Sequence, residues 1–210
     1  MKRRILASLL TLVMMLSLLP TMALADDAEE RSAETPITAA GGELATGNYV
    51  LPDNIDLTND LVIPSGAVVS IDLNGHTLKG TGNGSVIVVN DNGVLTVKDS
   101  SGDNSGIITG GIGYASDGGN GGGAISIESG GKCTLEGGTL TGNHCNNYNY
   151  NAGGVYAKGT AEFYMTGGVI TENTANRQGG GIFGGGSSTI VISGGEISKN
   201  TAQFGGGVCY

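Results

Sequence analysis

Two segments, one rich in glycine and the other rich in tyrosine and asparagine, carry the side chains best suited to binding chemistry in this sequence. The first contains Tyr114 and Asp117, and the second contains Asn147, Tyr148 and Tyr150. A tyrosine ring can pack on the apolar C–H face of a sugar, while amide and carboxylate groups hydrogen-bond its hydroxyls. The two segments therefore predict a surface that binds a glycan or a protein. The alternative is a pair of variable surface loops without a ligand.

Residues that could perform catalysis are not grouped in this way. A polysaccharide lyase requires an acidic Ca²⁺ site beside an Arg or Lys base, but the basic residues beyond the N-terminus are scattered singly. A glycosidase requires two carboxylates at a defined separation. Asp72 is predicted to face outward from a strand, and its equivalents in other units are not acidic: Thr96, Thr134, Tyr164 and Val191. The sequence thus predicts no catalytic residue in this segment.

No metal or other cofactor is predicted. Residues 110–117 only approach a glycine-rich Ca²⁺ repeat, because the acid is misplaced and the motif occurs once. His76 occupies a turn and His144 a loop, and neither has a Cys or His partner at ligand spacing. Both histidines are therefore predicted to have no metal-binding role.

An exported protein can contain a disulfide, but no two of the three cysteines occupy the same position of the repeat. Cys133 and Cys145 occupy positions that other units fill with buried or small residues, which indicates inward-facing thiols. Cys209 directly follows an inward position and is predicted to face outward. Because the three occupy unrelated positions of the repeat, they do not form a disulfide framework.

Residues 1–25 are typical of a signal peptide. Residues 2–4 are basic, residues 5–19 are mostly apolar, and residues 23–25 place small side chains at a cleavage site. The apolar run is shorter than the ~20 residues that a bilayer span needs, so no membrane span is expected after cleavage. Export predicts a secreted or cell-surface location.

The chain after residue 25 is strongly acidic. It contains 7 basic and 19 acidic residues, a net charge of −12. This balance argues against nucleic acid as a partner, because phosphate recognition needs clustered Lys and Arg. Residues 26–47 are predicted to form an acidic, flexible spacer, since their first part is charged and lacks large apolar side chains.

Apolar residues then recur in units with a constant internal pattern. Position zero of successive units is occupied by Ile63, Ile87, Ile125, Val155, Ile182 and Val208. Further apolar residues follow about eight, ten and fifteen residues later, and glycines separate the apolar segments. Glycine adopts positive φ without steric cost, so it suits tight corners between short strands. Nearly all of the length variation falls between the end of one unit and the next position zero.

Three short strands per unit predict an all-β protein, a right-handed parallel β-helix (solenoid) of about five rungs over residues 48–210. Equivalent residues of successive rungs then lie about 4.8 Å apart. Leu135, Met165 and Ile192 are predicted to form an apolar column inside the helix. A sandwich or propeller is the alternative, but a sandwich does not predict near-identical units in series. Three asparagines are predicted to form a hydrogen-bonded ladder at one corner: Asn143, Asn173 and Asn200.

The longest insertions occupy one corner of this repeat. Residues 112–124 and 144–154 are long, whereas the corresponding residues 174–181 and 201–207 are short. Insertions in a solenoid collect on one face, which is often the binding face. The candidate tyrosines are therefore predicted to project from the same side of the helix.

Two stretches of the repeat resemble known families. Residues 179–183 and 192–202 look like the GGG-I and I-x-x-N-x-A repeats of chlamydial polymorphic outer-membrane proteins. Residues 61–66 and 71–78 resemble the first rungs of secreted right-handed β-helix proteins of Gram-positive gut bacteria. The resemblance implies fold and export. It does not imply one activity, because such repeats are shared by adhesins, autotransporter passengers and carbohydrate enzymes.

The sequence as a whole favours a secreted or cell-surface, adhesin-like β-helix that presents loops to a host or bacterial glycan or surface protein. The alternative is the N-terminal part of a secreted polysaccharide lyase or glycoside hydrolase. Tyr210 lies two residues after position zero of a new unit. The β-helix is therefore predicted to be incomplete at its C-terminus, because an uncapped rung leaves open strand edges.

Overall fold

The computed structural model describes residues 34–113, 121–146 and 152–210, and residues 1–25 lie outside them. The described residues form short strands and turns, without an α-helix. The strands in chain order are β1 (Thr35–Pro36), β2 (Gly42–Glu43), β3 (Gly47–Val50), β4 (Ile55–Leu57), β5 (Leu61–Ile63), β6 (Val68–Asp72), β7 (Thr77–Gly80), β8 (Ile87–Val89), β9 (Val94–Lys98), β10 (Ile107–Thr109), β11 (Ile125–Ile127), β12 (Lys132–Leu135), β13 (Thr139–Thr141), β14 (His144–Cys145), β15 (Val155–Ala157), β16 (Glu162–Met165), β17 (Val169–Thr171), β18 (Thr174–Ala175), β19 (Ile182–Gly184), β20 (Thr189–Ile192), β21 (Glu196–Ser198) and β22 (Val208–Cys209).

These strands form three long parallel sheets. Sheet 1 is β1-β3-β6-β9-β12-β16-β20, sheet 2 is β4-β7-β10-β13-β17-β21, and sheet 3 is β2-β5-β8-β11-β15-β19-β22. The chain passes through sheets 1, 2 and 3 in turn and then returns to sheet 1 beside the strand it has just left. A small extra sheet, β14 and β18, lies between sheets 2 and 3 along the chain. This arrangement confirms the all-β, parallel β-helix class.

The apolar core runs along the inside of the helix. Leu135 pairs with Met165, and Met165 pairs with Ile192, as the spacing of the units predicts. Leu135 and Met165 are fully buried, and burial of each such side chain contributes roughly 1.5–3 kcal/mol. Ile192 is 46% exposed because it belongs to the last strand of sheet 1.

The β-helix begins earlier than the sequence predicts. Strand β1 pairs with β3, and Ile37 is only 4% exposed, so residues 34–47 are part of the scaffold and not of a spacer. Sheets 1 and 3 each contain 7 strands, which is more than the predicted five rungs. The early strands are two residues long and pair through backbone groups. They therefore lack the alternating apolar pattern on which a sequence prediction depends.

The register of the first unit also differs from the prediction by two residues. Leu61, and not Ile63, pairs with Ile87. Because side chains alternate with a period of two, this shift leaves the same residues facing the core and is invisible in the pattern. The shift changes the partner of Asp72, which pairs with Lys98 and not with Thr96. Asp72 lies on the outward side of β6, as the sequence predicts, because its neighbour Ile71 faces the core, but it is only 3% exposed.

Candidate functional site

The largest length differences between rungs lie in the connections from sheet 2 to sheet 3. One smaller difference lies between β9 and β10, where residues 99–106 are longer than the three- or four-residue connections from sheet 1 to sheet 2 in the other rungs. The connections from sheet 3 to sheet 1 are four residues long in every rung after β5. The connections from sheet 2 to sheet 3 first become longer along the chain and then shorter. They are residues 58–60, 81–86, 110–124, 142–154, 172–181 and 199–207. We call this edge of the helix the variable corner. A solenoid can absorb extra residues there without disturbing its stacked strands.

The five residues predicted to bind a ligand belong to the two longest connections of the variable corner. Tyr114 and Asp117 fall in residues 110–124, and Asn147, Tyr148 and Tyr150 fall in residues 142–154. All five lie outside the described residues. The described ends of these two connections lie on neighbouring rungs, because β10 pairs with β13 and β11 pairs with β15.

An asparagine ladder holds the beginning of each long connection. The side-chain amide of Asn143 donates to Oδ1 of Asn173 at 3.0 Å, and that of Asn173 donates to Oδ1 of Asn200 at 3.0 Å. The same three amides also donate to backbone carbonyls at the end of sheet 2: Ile108, Leu140 and Ile170. Asn143 and Asn173 are fully buried, so each bond is protected from water.

The residue before each asparagine has a positive φ, and this bend directs the asparagine side chain into the ladder. Gly142, Glu172 and Lys199 have φ values of 63°, 56° and 52°. This left-handed conformation costs an L-residue roughly 1–2 kcal/mol, so glycine would be preferred. Glu172 and Lys199 nevertheless adopt it, and their side chains form an exposed ion pair at 3.6 Å.

A stack of glycines holds the end of each long connection. The amide of Gly153 donates to the carbonyl of Gly179 at 3.0 Å, and the amide of Gly154 donates to that of Gly180 at 3.1 Å. A Cβ at Gly153 would lie 2.5 Å from the carbonyl oxygens of Gly180 and Thr174. The backbones of successive rungs therefore approach too closely for any side chain. Both ends of the connection are fixed, and only its middle is free to vary in sequence.

The extra sheet at the variable corner carries a chain of polar side chains. His144 and Thr174 pair as neighbours in β14 and β18. Nδ1 of His144 hydrogen-bonds Oγ1 of Thr174, and Nε2 of His144 hydrogen-bonds Oδ1 of Asn146. Sequence reasoning placed His144 in a loop without a partner. The common register of the Asn143 and Asn173 units could have revealed the contact, because His144 and Thr174 directly follow these asparagines.

The outer face of sheet 3 beside the variable corner carries an apolar cluster. Tyr156 and Phe183 are neighbours whose rings stack with centroids 5.3 Å apart, and each residue is only 4% exposed. Ala152 and Cys209 pack against them. The adjacent Ser126 is buried, and its hydroxyl has no hydrogen-bond partner in the described part of the chain. Outward-facing residues of this sheet are thus packed, and not simply solvated.

The cysteines lie where the sequence predicts. Cys133 and Cys145 are buried, while Cys209 lies in the outward column of sheet 3 beside Phe183. Cys133 and Cys209 are free thiols, and the thiol of Cys145 donates to the carbonyl of Gly113 at 3.7 Å. Burial raises the pKa of Cys133 to about 12, so this thiol stays protonated and unreactive at neutral pH.

Several lysines are joined to acids of a neighbouring rung. The pairs are Lys98–Asp72 at 3.4 Å, Lys132–Glu162 at 3.6 Å, Lys158–Glu128 at 2.8 Å and Lys199–Glu172 at 3.6 Å. Burial raises the pKa of Asp72, but hydrogen bonds from the N–H groups of Ser100 and Asn74 and the charge of Lys98 outweigh it and hold the pKa below its ordinary value. In each pair, the charge of the lysine is balanced by an acid of the neighbouring rung.

In comparison with known proteins, no family model, curated protein or solved structure matches the chain. Within the described ranges, no three His, Cys, Asp or Glu side chains are grouped to hold a metal ion. The same ranges contain no helix that is long and apolar enough to cross a membrane.

Proposed function

We propose that this chain is an exported β-helix, secreted or held at the cell surface, that presents loops for binding a glycan or a surface protein. The observation that carries the proposal is the variable corner. Rung length changes most there: the connections from sheet 3 to sheet 1 stay at four residues from β5 onward, and among those from sheet 1 to sheet 2 only residues 99–106 are long. Variable residues on a rigid frame are typical of binding sites.

The construction of the corner supports the same function. The asparagine ladder fixes one end of each long connection, and the glycine stack fixes the other. Fixing the ends of a connection reduces the entropy that it loses on binding, which favours affinity. Tyr114 lies in one long connection, and Tyr148 and Tyr150 lie in the next, whose ends are on the adjacent rung. Aromatic rings at successive positions suit the repeating C–H faces of a glycan.

Export is supported by the sequence rather than by the fold. Residues 1–25 have the basic, apolar and small-residue regions of a signal peptide. The net charge of −12 beyond them disfavours nucleic acid as a ligand. The likeness of the repeats to those of chlamydial outer-membrane proteins agrees with a location outside the cytoplasm.

A glycan array tests the proposal directly. The purified protein is applied to arrayed bacterial and host glycans, and affinity for each ligand found is then measured by calorimetry. Replacing Tyr148 and Tyr150 together by Ala should weaken binding at least about tenfold, since a buried aromatic anchor is typically worth more than 1 kcal/mol. Tyr164→Ala is the matched control, because Tyr164 lies on the outer face of sheet 1, away from the variable corner.

The result that overturns the proposal is equally definite. Absence of any glycan or surface-protein ligand above background, for a protein with intact secondary structure, contradicts it. Equal loss of affinity in the Tyr164→Ala variant contradicts the assignment of the site to the variable corner.

A further inference from the structure

The side chains of Thr174, His144 and Asn146 form a continuous hydrogen-bonded chain on the outside of the variable corner. Thr174 bonds Nδ1 of His144, and Nε2 of the same imidazole bonds Oδ1 of Asn146. A hydroxyl, an imidazole and an orienting side-chain oxygen in this order form the constellation of nucleophile, base and positioning group. We propose that these residues form an acyl-transfer site for carboxylic esters.

The hydrogen bonds determine which imidazole nitrogen carries the proton. An amide oxygen can only accept a hydrogen bond, so Nε2 of His144 must donate to Oδ1 of Asn146. In the neutral ring, Nδ1 is then the acceptor, and the hydroxyl of Thr174 donates to it. This is the arrangement in which the imidazole can remove the hydroxyl proton, because its lone pair faces Oγ1.

The scaffold holds the nucleophile and the base in fixed register. His144 and Thr174 are paired in parallel strands, and each directly follows a member of the asparagine ladder. Cys145 and Ala175, the next residues, face inward and are buried, so His144 and Thr174 face outward. Pre-organisation of this kind is what an acyl-transfer site requires.

A neighbouring amide can stabilise the developing oxyanion. Nδ2 of Asn176 donates to the backbone carbonyl of Asn146 at 2.7 Å, which uses one of its two hydrogens. This bond holds the side chain of Asn176 beside the backbone of Asn146, whose own side chain contacts His144. The second hydrogen can point toward the carbonyl oxygen of an ester that approaches Thr174.

The proposed reaction is a double displacement. Oγ1 of Thr174 attacks the ester carbonyl carbon, and its proton passes to Nδ1 of His144. The bond from the carbonyl carbon to the alcohol oxygen breaks, and the leaving alkoxide takes that proton. Water then attacks the acyl-threonine, gives a proton to His144, and releases the carboxylic acid as Oγ1 recovers the proton. This activity goes beyond the proposed binding function and does not depend on it.

Hydrolysis of p-nitrophenyl acetate by the purified protein tests the proposal. The wild-type protein should release p-nitrophenolate with turnover and carry an acetyl group on the peptide that contains Thr174, detected by mass spectrometry after acid quenching. Thr174→Val removes the hydroxyl at nearly constant volume and should lower kcat/KM about 100-fold or more. Thr201→Val is the matched control, because Thr201 is the neighbour of Thr174 on the next rung and should leave the rate unchanged.

Asn146 is a positioning residue, and its variants separate orientation from folding. Asn146→Asp keeps an oxygen that accepts from Nε2 and should retain most of the activity, whereas Asn146→Ala should lose most of kcat with little change in KM. Wild-type hydrolysis no faster than that of Thr174→Val overturns the proposal. So does acetylation found only on lysines or tyrosines, a measurement on the wild-type protein that does not depend on how any variant folds.

Discussion

The side-chain amide of Asn143 donates a 3.0 Å hydrogen bond to Oδ1 of Asn173, one rung further along the helix. The same oxygen accepts the backbone N–H of Asn143, also at 3.0 Å. One buried carbonyl oxygen therefore satisfies two donors of the preceding rung. This relationship fixes where the chain leaves sheet 2, and so where the residues of the variable corner begin.

Replacing Asn173 by Ala should destabilise the protein by about 3–4 kcal/mol. The change removes four hydrogen bonds of the ladder and leaves the buried backbone N–H of Asn143 without its acceptor. Urea unfolding followed by circular dichroism measures the loss. Asn59→Ala is the control and should cost less than about 1 kcal/mol, because Asn59 is exposed. A cost for Asn173→Ala no larger than that of the control would show that the ladder does not stabilise the corner.

Replacing Gly153 by Ala should destabilise the helix by about 2–3 kcal/mol or more. The added methyl group would lie 2.5 Å from two backbone carbonyl oxygens, and backbone cannot move aside as a flexible side chain can. Gly207→Ala is the matched control in the same glycine stack, because its nearest neighbour would be Cγ2 of Ile197 at 3.7 Å. The free energy of unfolding, obtained from thermal unfolding, should therefore fall by only about 1 kcal/mol in the control. An equal loss of stability in Gly153→Ala and Gly207→Ala would refute the close stacking of backbones at the variable corner.

The contribution of Asp72 to stability should depend on pH. Because its pKa is lowered in the folded protein, the ionised carboxylate stabilises the fold above the unfolded pKa of about 3.9, and this contribution is lost as pH falls through the folded value. Asp72→Asn should therefore cost about 2 kcal/mol at pH 7 and clearly less near pH 3. Urea midpoints of both proteins at the two pH values give the difference. If the stability difference between the wild-type protein and Asp72→Asn stays constant or grows in acid, the lowered pKa of Asp72 is contradicted.

Much of the fold could be predicted, because residues that stack on one another in successive rungs recur at regular intervals in the sequence. Leu135 and Met165 are thirty residues apart and adjacent in space, and the spacing alone indicates that. The unit that begins at Leu61 was misplaced by two residues, because a shift of two leaves the same face toward the core. Strand β1 escaped prediction because two residues cannot show a period.

The candidate site was less predictable, for a related reason. The columns that contain Asn143 and Asn173 follow from the repeat, but the bond between His144 and Thr174 depends on side-chain orientation at a corner. The burial of Asp72 also depends on contacts with Ser100 and Lys98 in an adjoining rung. Hydropathy does not encode such polar contacts.

An exchange of connections tests most directly whether the variable corner is the binding site. Residues 144–152 are replaced by residues 174–179, which retains Asn143, Gly153 and the equivalent backbone ends. The chimera should keep the thermal stability of the parent and lose affinity for any ligand found on the array. As a control, exchanging residues 128–131 for residues 158–161, both in connections from sheet 3 to sheet 1, should leave binding unchanged. A folded chimera that binds the ligand as tightly as the parent would contradict the account.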